Sequence, residues 1–336
     1  MQVHLSAKPI GAIYEPLRYL LHYPYGCTEQ LASSLLPALL AKELSEQGFR
    51  LEGIISGDKI NLGGEWSLPR WYDLGELVEE TALKIMNHQK QDGGLGYWQD
   101  PAEPSNPMVS VYARGVLKRA AKMGYSLPWQ KLGRLEEYLA GLGRQDRQAW
   151  LWFAWQKAEL GEEVNKALVE QVVAAHKDDL IAQVLGGAIL GTNFVKPNWG
   201  ARLDVPRYGY AFFDKDILEM IWARALIGEG RLGEARSFVF EMLQKRDRRG
   251  LWGWSTQKNV QAILTLAKWL EALGLEQDKV SCEVKVGDKV KKVEFWQGKE
   301  VNFSFSDTQK LKASASCSDV VMVDWKAKWL PKVLKP

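Results

Sequence analysis

"NVQAILTLAKWLEALG", residues 259–274, and "VSCEVKVGDKVKKVEFW", residues 280–296, lie almost side by side in the chain and obey different rules. In the first, apolar residues recur at i, i+3, i+4 and i+7 (Val260, Ile263, Leu264, Ala267), the period of a helix with one buried face. In the second, apolar residues alternate with Lys and Glu and break at Gly287-Asp288, the pattern of a β-hairpin. The fold therefore changes class after Leu275.

Upstream, the helical period persists almost without interruption from about residue 10. It runs through "LLPALLAKELSEQ" (35–47), "VSVYARGVLKRAAKMG" (109–124), "RQAWLWFAWQKAELG" (147–161), "LIAQVLGGAILG" (180–191) and "ILEMIWARALIGEG" (217–230). Several segments stop at a glycine, among them Gly124, Gly161, Gly191 and Gly274, as a chain does when it needs a left-handed residue past the last turn. The pattern predicts eleven or twelve helices joined by short loops, an array of antiparallel hairpins rather than a four-helix bundle. Pro37 removes one backbone bond from its helix and is expected to kink it. "QKQDGGLGYW" (89–98) and "KRDRRGLWGW" (245–254) echo one another, each a polar turn with glycines and a closing Trp. Such repetition suits a closed ring of paired helices. The fifteen Trp residues fall largely in these helical segments, where they read as fillers of helix–helix contacts.

Downstream, "KEVNFSFSD" (299–307), "KLKASASCS" (310–318) and "VVMVDWKAKW" (320–329) also alternate. So does "QVHLS" (2–6) at the opposite end of the chain. A lone N-terminal strand has no local partner, so it is expected to pair with the C-terminal strands, leaving the helices as an insertion into a β unit. The fold class is mainly α, with a small antiparallel β unit; its Lys-rich strands read as a solvated sheet face.

Composition excludes several classes. Lys and Arg number 44 against 41 Asp and Glu, so neither nucleic acid nor an anionic membrane is an expected partner. No apolar run is long enough to span a bilayer, so no membrane insertion is expected. "MQVHLSAKPIG" has neither a basic n-region nor an apolar h-region; the expectation is a chain without a signal peptide, either cytosolic or cut from something longer. No Cys/His cluster has zinc spacing and no glycine-rich loop ends in Lys-Ser/Thr, so no metal or cofactor is expected. Asp178 and Asp179 read as helix N-terminal charges. Of the three cysteines, Cys282 and Cys317 share the β region and form a possible disulfide, while Cys27 stands alone.

Cys27 lies in "HYPYGCTEQLASS" (22–34), three residues before Gln30, at the start of a predicted helix. Two readings are open. Cys27 is either a small buried hydrophobe near a helix cap, or a nucleophile. Residues three apart in a helical turn face the same side, and N–H groups at a helix N-terminus favour a thiolate. Such a thiolate could attack the Gln30 carboxamide, expel ammonia and leave an internal thioester, an activated acyl donor that needs a dry surround. Tyr23 and Tyr25 could supply part of that cover.

"YPYGCTEQ" (23–30) closely resembles the thioester motif of the α2-macroglobulin and complement superfamily, and especially that of the bacterial α2-macroglobulins. Gly26, Glu29 and the Pro37-bearing helix match the motif's surroundings. "QKQDGGLGYW" resembles the family's glycine-aromatic turn, and "GWSTQKNVQAILTLAKW" (253–269) resembles its "STQ" segment before the last helix. The three motifs stand in family order across nearly the whole helical part.

The resemblance implies an α/α toroid of about six helical hairpins, over residues 9–276, inserted into a β module called CUB, formed by residues 1–8 and 277–336. It implies that Cys27 and Gln30 are the bonded pair, that Glu29 belongs to the motif without an assigned role, and that Tyr23, Tyr25 and Trp98 shield the bond. It further implies a fragment of a broad-spectrum protease inhibitor, periplasmic or at the cell surface. In such traps a protease cuts a bait region elsewhere, and the exposed thioester acylates lysines on the attacker. The implied partners are target proteases and the remaining macroglobulin domains of the parent. The thioester is consumed once, so the chain is expected not to be an enzyme. Some complement proteins carry a downstream His that directs the thioester to hydroxyls. The segment between "LEEYLAGL" and "GRQDRQAW" (135–150) has none, which points to amines as acceptors. His4, His22, His88 and His176 are the four histidines; His22 and His88, beside motifs, read as capping or packing residues. Two alternatives remain: an adhesion module that bonds a surface protein through the same thioester, and a toroid-fold terpene cyclase or prenyltransferase-like enzyme with a central apolar pocket.

Overall fold

The computed structural model describes residues 2–6, 11–22, 26–49, 51, 53–62, 70–144, 146–205, 212–274, 279–296, 300–304, 313–317 and 322–326. The chain divides into two compact units, one of residues Tyr14–Lys268 and one of Met1–Ile13 with Trp269–Pro336.

In chain order the elements are β1 (Gln2–Ser6), α1 (Gly11–Leu21), α2 (Thr28–Glu46), the short strands β2 (Ile55–Ser56), β3 (Lys59–Asn61) and β4 (Trp71–Asp73), and α3 (Leu74–Met86). Then follow α4 (Pro107–Lys122), α5 (Trp129–Ala140), α6 (Arg147–Glu159), α7 (Lys166–Ala175), α8 (Leu180–Leu190), α9 (Lys215–Gly228), α10 (Leu232–Gln244) and α11 (Thr256–Leu273). The chain ends with β5 (Lys279–Val286), β6 (Lys289–Trp296), β7 (Glu300–Ser304), β8 (Ala313–Cys317) and β9 (Met322–Lys326). The eleven helices among the described residues fall within the expected number. The meander β2-β3-β4 after α2 has no strong alternation in the sequence and was not foreseen.

Burial sorts the helices into two sets. α3, α5, α7 and α10 bury a single stripe, for example Leu132, Leu135 and Leu139 on α5 or Ala235, Val239 and Met242 on α10. α4, α6, α8 and α9 are buried on nearly every side. A helix apolar all round must be surrounded by others. The packing follows: α2 lies on α4, α4 on α6, α6 on α8 and α8 on α9, with the one-stripe helices backing α2, α4, α8 and α9. α11 completes the circuit. It reaches α9 through Arg224, whose Nη2 donates to Gln261 Oε1 at 2.6 Å and Nη1 to Thr265 Oγ1 at 3.0 Å. It reaches α2 through Gln257, which donates to Glu29 at 2.6 Å. This is the α/α toroid. Its repeat departs from strict alternation once: α8 and α9 are both inner helices, and the described part of the segment between them, residues 191–205 and 212–214, runs as turns and loop.

The middle of the ring is filled with aromatic rings. Trp152 lies 5.0 Å from Phe212, 5.3 Å from Phe213 and 6.3 Å from Tyr112, centroid to centroid. All four residues are buried. α2 runs unbroken through buried Pro37. The predicted terminal glycines take left-handed backbone, as at Gly124 (φ +89°) and Gly161 (φ +67°) after α4 and α6.

In the other unit, β1 lies between β7 and β9, antiparallel to both, with Val3 opposite Phe303 and Trp325. The first strand thus pairs with late ones, as its isolation required. A second sheet has the order β6-β5-β8, and Cys282, Val284 and Val286 alternate buried against exposed Ser281 and Lys285.

Two buried arginines staple the ring. Arg224 pairs with Glu159 at 2.9 Å and lies over the Trp155 ring; Arg114 pairs with Glu136 and Glu162 and lies over Phe153. Removing one partner of a buried, multiply bonded cation strands the other groups. Arg224→Ala is expected to lower unfolding free energy by roughly 3 kcal/mol, read by urea denaturation of the whole chain.

Candidate functional site

α2 starts where its sequence supplies an unusual cap. Cys27 stands at the N-cap in extended backbone (φ −70°, ψ 159°) and makes no side-chain capping bond. Its carbonyl accepts the first helical bond from Leu31 at 2.9 Å. Thr28 and Glu29 are buried behind it, and Gln30 is partly exposed. Gln30 nonetheless has its Oε1 atom buried with no hydrogen-bond partner, an arrangement a native structure seldom leaves unexplained.

The thiol does not behave as the bare helix terminus predicts. Burial pushes the Cys27 pKa up to about 11, and the charge of Glu29 adds to the rise. The backbone N–H groups of Gln30, Glu29 and Cys27 lie close enough to favour the thiolate, but they do not outweigh desolvation. The expectation of a stabilised thiolate is corrected: in the free thiol, burial outweighs the N–H groups of the helix start.

The three sequence motifs converge on this turn. The glycine-aromatic loop holds Thr28: its N–H donates to Tyr97 O at 2.9 Å and its hydroxyl to Gly96 O at 2.6 Å. His88 Nδ1 lies 2.7 Å from the same hydroxyl, and Gly96 N–H donates back to His88 O. Burial, followed by the charge of Lys90, holds the His88 pKa below its usual value. Tyr97 and Trp98 N–H groups both donate to Glu103, and Lys90 Nζ donates to Trp98 O at 2.7 Å. Glycine is required within this loop. A Cβ on Gly93, at φ +93°, would stand 2.6 Å from Arg134 O.

The STQ segment holds Glu29. Its Oε1 accepts from Thr256 Oγ1 at 2.7 Å, Gln257 Nε2 at 2.6 Å and Ser33 Oγ at 2.8 Å. Ser33 Oγ, having donated its proton to Glu29, accepts from the Tyr112 hydroxyl at 2.9 Å. Tyr112 is itself buried, which raises its pKa. Glu29 therefore gains a structural role: it ties the first turn of α2 to the first turn of α11.

The other expected site residues are dispersed. Tyr23 and Tyr25 lie outside the described residues. Trp98 sits in the loop that grips Thr28 and is 51% exposed. His22 Nδ1 donates to Arg18 O, and His176 lies beside Arg147; the side chain of His4 is outside the described residues. Asp179 caps α8 by accepting from Ile181 N–H. Cys282 is disulfide-bonded, and its register partner across β5 and β8 is Cys317. Among the described residues no group of His, Cys, Asp and Glu is arranged to hold a metal ion, and no helix is long and apolar enough to cross a membrane. Sequence reading missed Ser33, Tyr112 and the Thr28–His88 contact. Apart from the Ser33–Glu29 bond within α2, the partners in that network are separated by 60 to 228 residues, so only the motif flags on CTEQ and STQ hinted at it.

No family model matches the chain. The alpha-2-macroglobulin of Rickettsia conorii is 27% identical over 145 residues, 43% of this chain, and that of Escherichia coli K12 is 29% identical over 138 residues, 41% of this chain. Each match spans 7% of the length of the curated relative. Among solved structures, the native conformation of E. coli alpha-2-macroglobulin aligns with TM-score 0.62 at 19% identity, over 96% of this chain and 20% of the other. A Salmonella alpha-2-macroglobulin reacted with methylamine aligns at 0.62 and 18%, over 96% of this chain and 21% of the other. E. coli alpha-2-macroglobulin activated by porcine elastase aligns at 0.55 and 18%, over 96% and 29%. At these identities the structures establish a shared fold. In sequence and in fold, the chain is similar to a segment of bacterial alpha-2-macroglobulins.

Two outcomes are expected from this geometry. Glu29→Ala strands three donors and lowers stability by about 2–4 kcal/mol in chemical denaturation, while Glu29→Gln, which keeps an acceptor oxygen, loses less. Alkylation of the free Cys27 thiol is slow at neutral pH and climbs about tenfold per pH unit until the pH nears 11.

Proposed function

We propose that this chain carries the covalent-capture part of a bacterial α2-macroglobulin-like, broad-spectrum protease inhibitor, built on a thioester between Cys27 and Gln30. The sulfur attacks the Gln30 side-chain carbonyl carbon, the C–N bond breaks, and ammonia leaves with the thiol proton. A lysine amine of a captured protease then attacks the same carbon, forming an amide and returning the thiol. Each molecule acts once, so the activity is inhibition without turnover.

One observation carries this reading: three residues after Cys27, in the first turn of α2, Gln30 Oε1 is buried without a partner. A carboxamide that loses its –NH₂ to a neighbouring sulfur and keeps an inward carbonyl suits such a position. The resemblance to proteins that have been reacted with methylamine and activated by elastase supports amine acceptors and protease targets. In this reading residues 9–276 form the thioester domain, and residues 1–8 with 277–336 form a CUB-like module. Tyr23, Tyr25 and Trp98 shield the bond. A Cys282–Cys317 bridge fits an oxidising compartment, periplasmic or at the cell surface.

The adhesion reading shares the same chemistry and differs only in its target. The cyclase reading needs an open central pocket, and the ring interior instead holds buried Tyr112, Trp152, Phe212 and Phe213.

Natively purified protein is expected to weigh one ammonia less than its sequence. Methylamine should add covalently at Gln30, leaving an N-methyl carboxamide one methylene heavier than the sequence, and release one titratable thiol; Cys27→Ser should show its full sequence mass from the start. Full mass with a freely titrating Cys27 in fresh wild-type protein would sink the thioester.

A further inference from the structure

Thr28 has a single hydroxyl proton and three neighbours within reach, of which Tyr97 O at 3.4 Å is the farthest. Gly96 O, at 2.6 Å, is a carbonyl and can only accept. The proton therefore points to Gly96, and His88 Nδ1, at 2.7 Å, must be the donor to the hydroxyl oxygen. This fixes the tautomer: His88 is protonated at Nδ1, and that nitrogen has no lone pair to offer as a base. The surroundings agree. His88 is 8% exposed, and its burial and the charge of Lys90 oppose a second proton.

We propose that His88 is a positioning residue for the acyl-transfer turn, holding the Thr28 hydroxyl, and through it Cys27 to Gln30, against the Gly96–Tyr97 backbone. The inference rests on the acyl-donor reading of Cys27 and Gln30. It adds that His88, which bonds the residue beside Cys27, acts through Nδ1 as a clamp and not as a general base at that nitrogen. Thr28 is the hinge point because it is held by both backbone and side chain: N–H to Tyr97 O at 2.9 Å, hydroxyl to Gly96 O, and hydroxyl from His88. The clamp is local. Gly96 N–H returns to His88 O at 3.2 Å, so the loop closes on itself before it grips α2. The same bonding removes Thr28 as an internal acceptor. Its oxygen is occupied, and residues two apart on a helix do not face one another.

The test uses the full chain in four forms: wild type, His88→Asn, His88→Leu and Thr28→Val. Asparagine presents an N–H near the place of Nδ1 and preserves the clamp; leucine and valine remove one side of it. Two readouts are taken. The first is the ammonia deficit and the rate of methylamine incorporation. The second is the rate of Cys27 alkylation by iodoacetamide after methylamine treatment, which reports the openness of the turn whether or not a thioester was present.

His88→Asn is expected to stay within about twofold of wild type in both. His88→Leu and Thr28→Val are expected to alkylate about tenfold faster and to hold less thioester, at melting temperatures that show them folded, as loss of one buried bond implies. Equal alkylation rates in wild type and His88→Leu would overturn the proposal. So would His88→Asn behaving as His88→Leu does, or a methylamine reaction much slower than wild type in both His88→Asn and His88→Leu, which would mark a base. If wild type shows no ammonia deficit, the acyl-donor reading fails, and the alkylation contrast still decides the clamp. If His88→Leu does not fold, Thr28→Val against His88→Asn decides it.

Discussion

One carboxylate oxygen closes the ring. Glu29 Oε1 accepts from a serine one turn further along α2 and from two residues at the start of α11, 227 and 228 positions away in the chain. A ring of inner helices needs a contact between first and last that nonspecific apolar packing supplies poorly, because similar greasy faces slide past one another. A buried carboxylate tolerates no such slip: displaced by a turn it would lose its donors and retain its desolvation. The closure also decides where the start of α2 stands, and with it Cys27.

The same device recurs around the ring. Arg224 bridges α9 to α6 and α11, and Arg114 bridges α4 to α5 and to Glu162 beyond α6. Both lie over an aromatic ring, so the flat guanidinium face is covered while its edge is bonded. Between these staples the interior is aromatic. A cyclase-like ring needs its middle empty; here, among the described residues, Trp152 and its three neighbours form a buried aromatic cluster.

Burial shapes the chemistry proposed for Cys27. A sulfur whose thiol pKa is pushed to about 11 is a poor leaving group, because transfer to an amine must release it with a proton or as a costly buried anion. The environment that slows formation of a thiolate also slows loss of the acyl group to water. Storage, in the proposed role, is a consequence of desolvation. The grip of the 88–97 loop on Thr28 serves the same end by keeping the turn closed.

The sequence by itself determined the class of the fold and the place where it changes. Helical period up to Gly274 and alternation afterwards are local properties, set by which residues meet on one face, and α11 and β5 follow them. Isolation of "QVHLS" foretold its pairing with late strands because a single strand leaves its backbone unsatisfied. The motif around Cys27 and Gln30 was visible through the resemblance of "YPYGCTEQ" to a known family, its spacing alone being common in helices. The tertiary structure decided the rest. It turned Glu29 from a motif letter into the link between α2 and α11, recruited Ser33, Tyr112 and His88, and reversed the expected pKa of Cys27. Each of these depends on residues at least 60 positions apart or on burial, and neither quantity is written in local sequence. Periodicity states which face is hidden; only the closed ring states what lies opposite it.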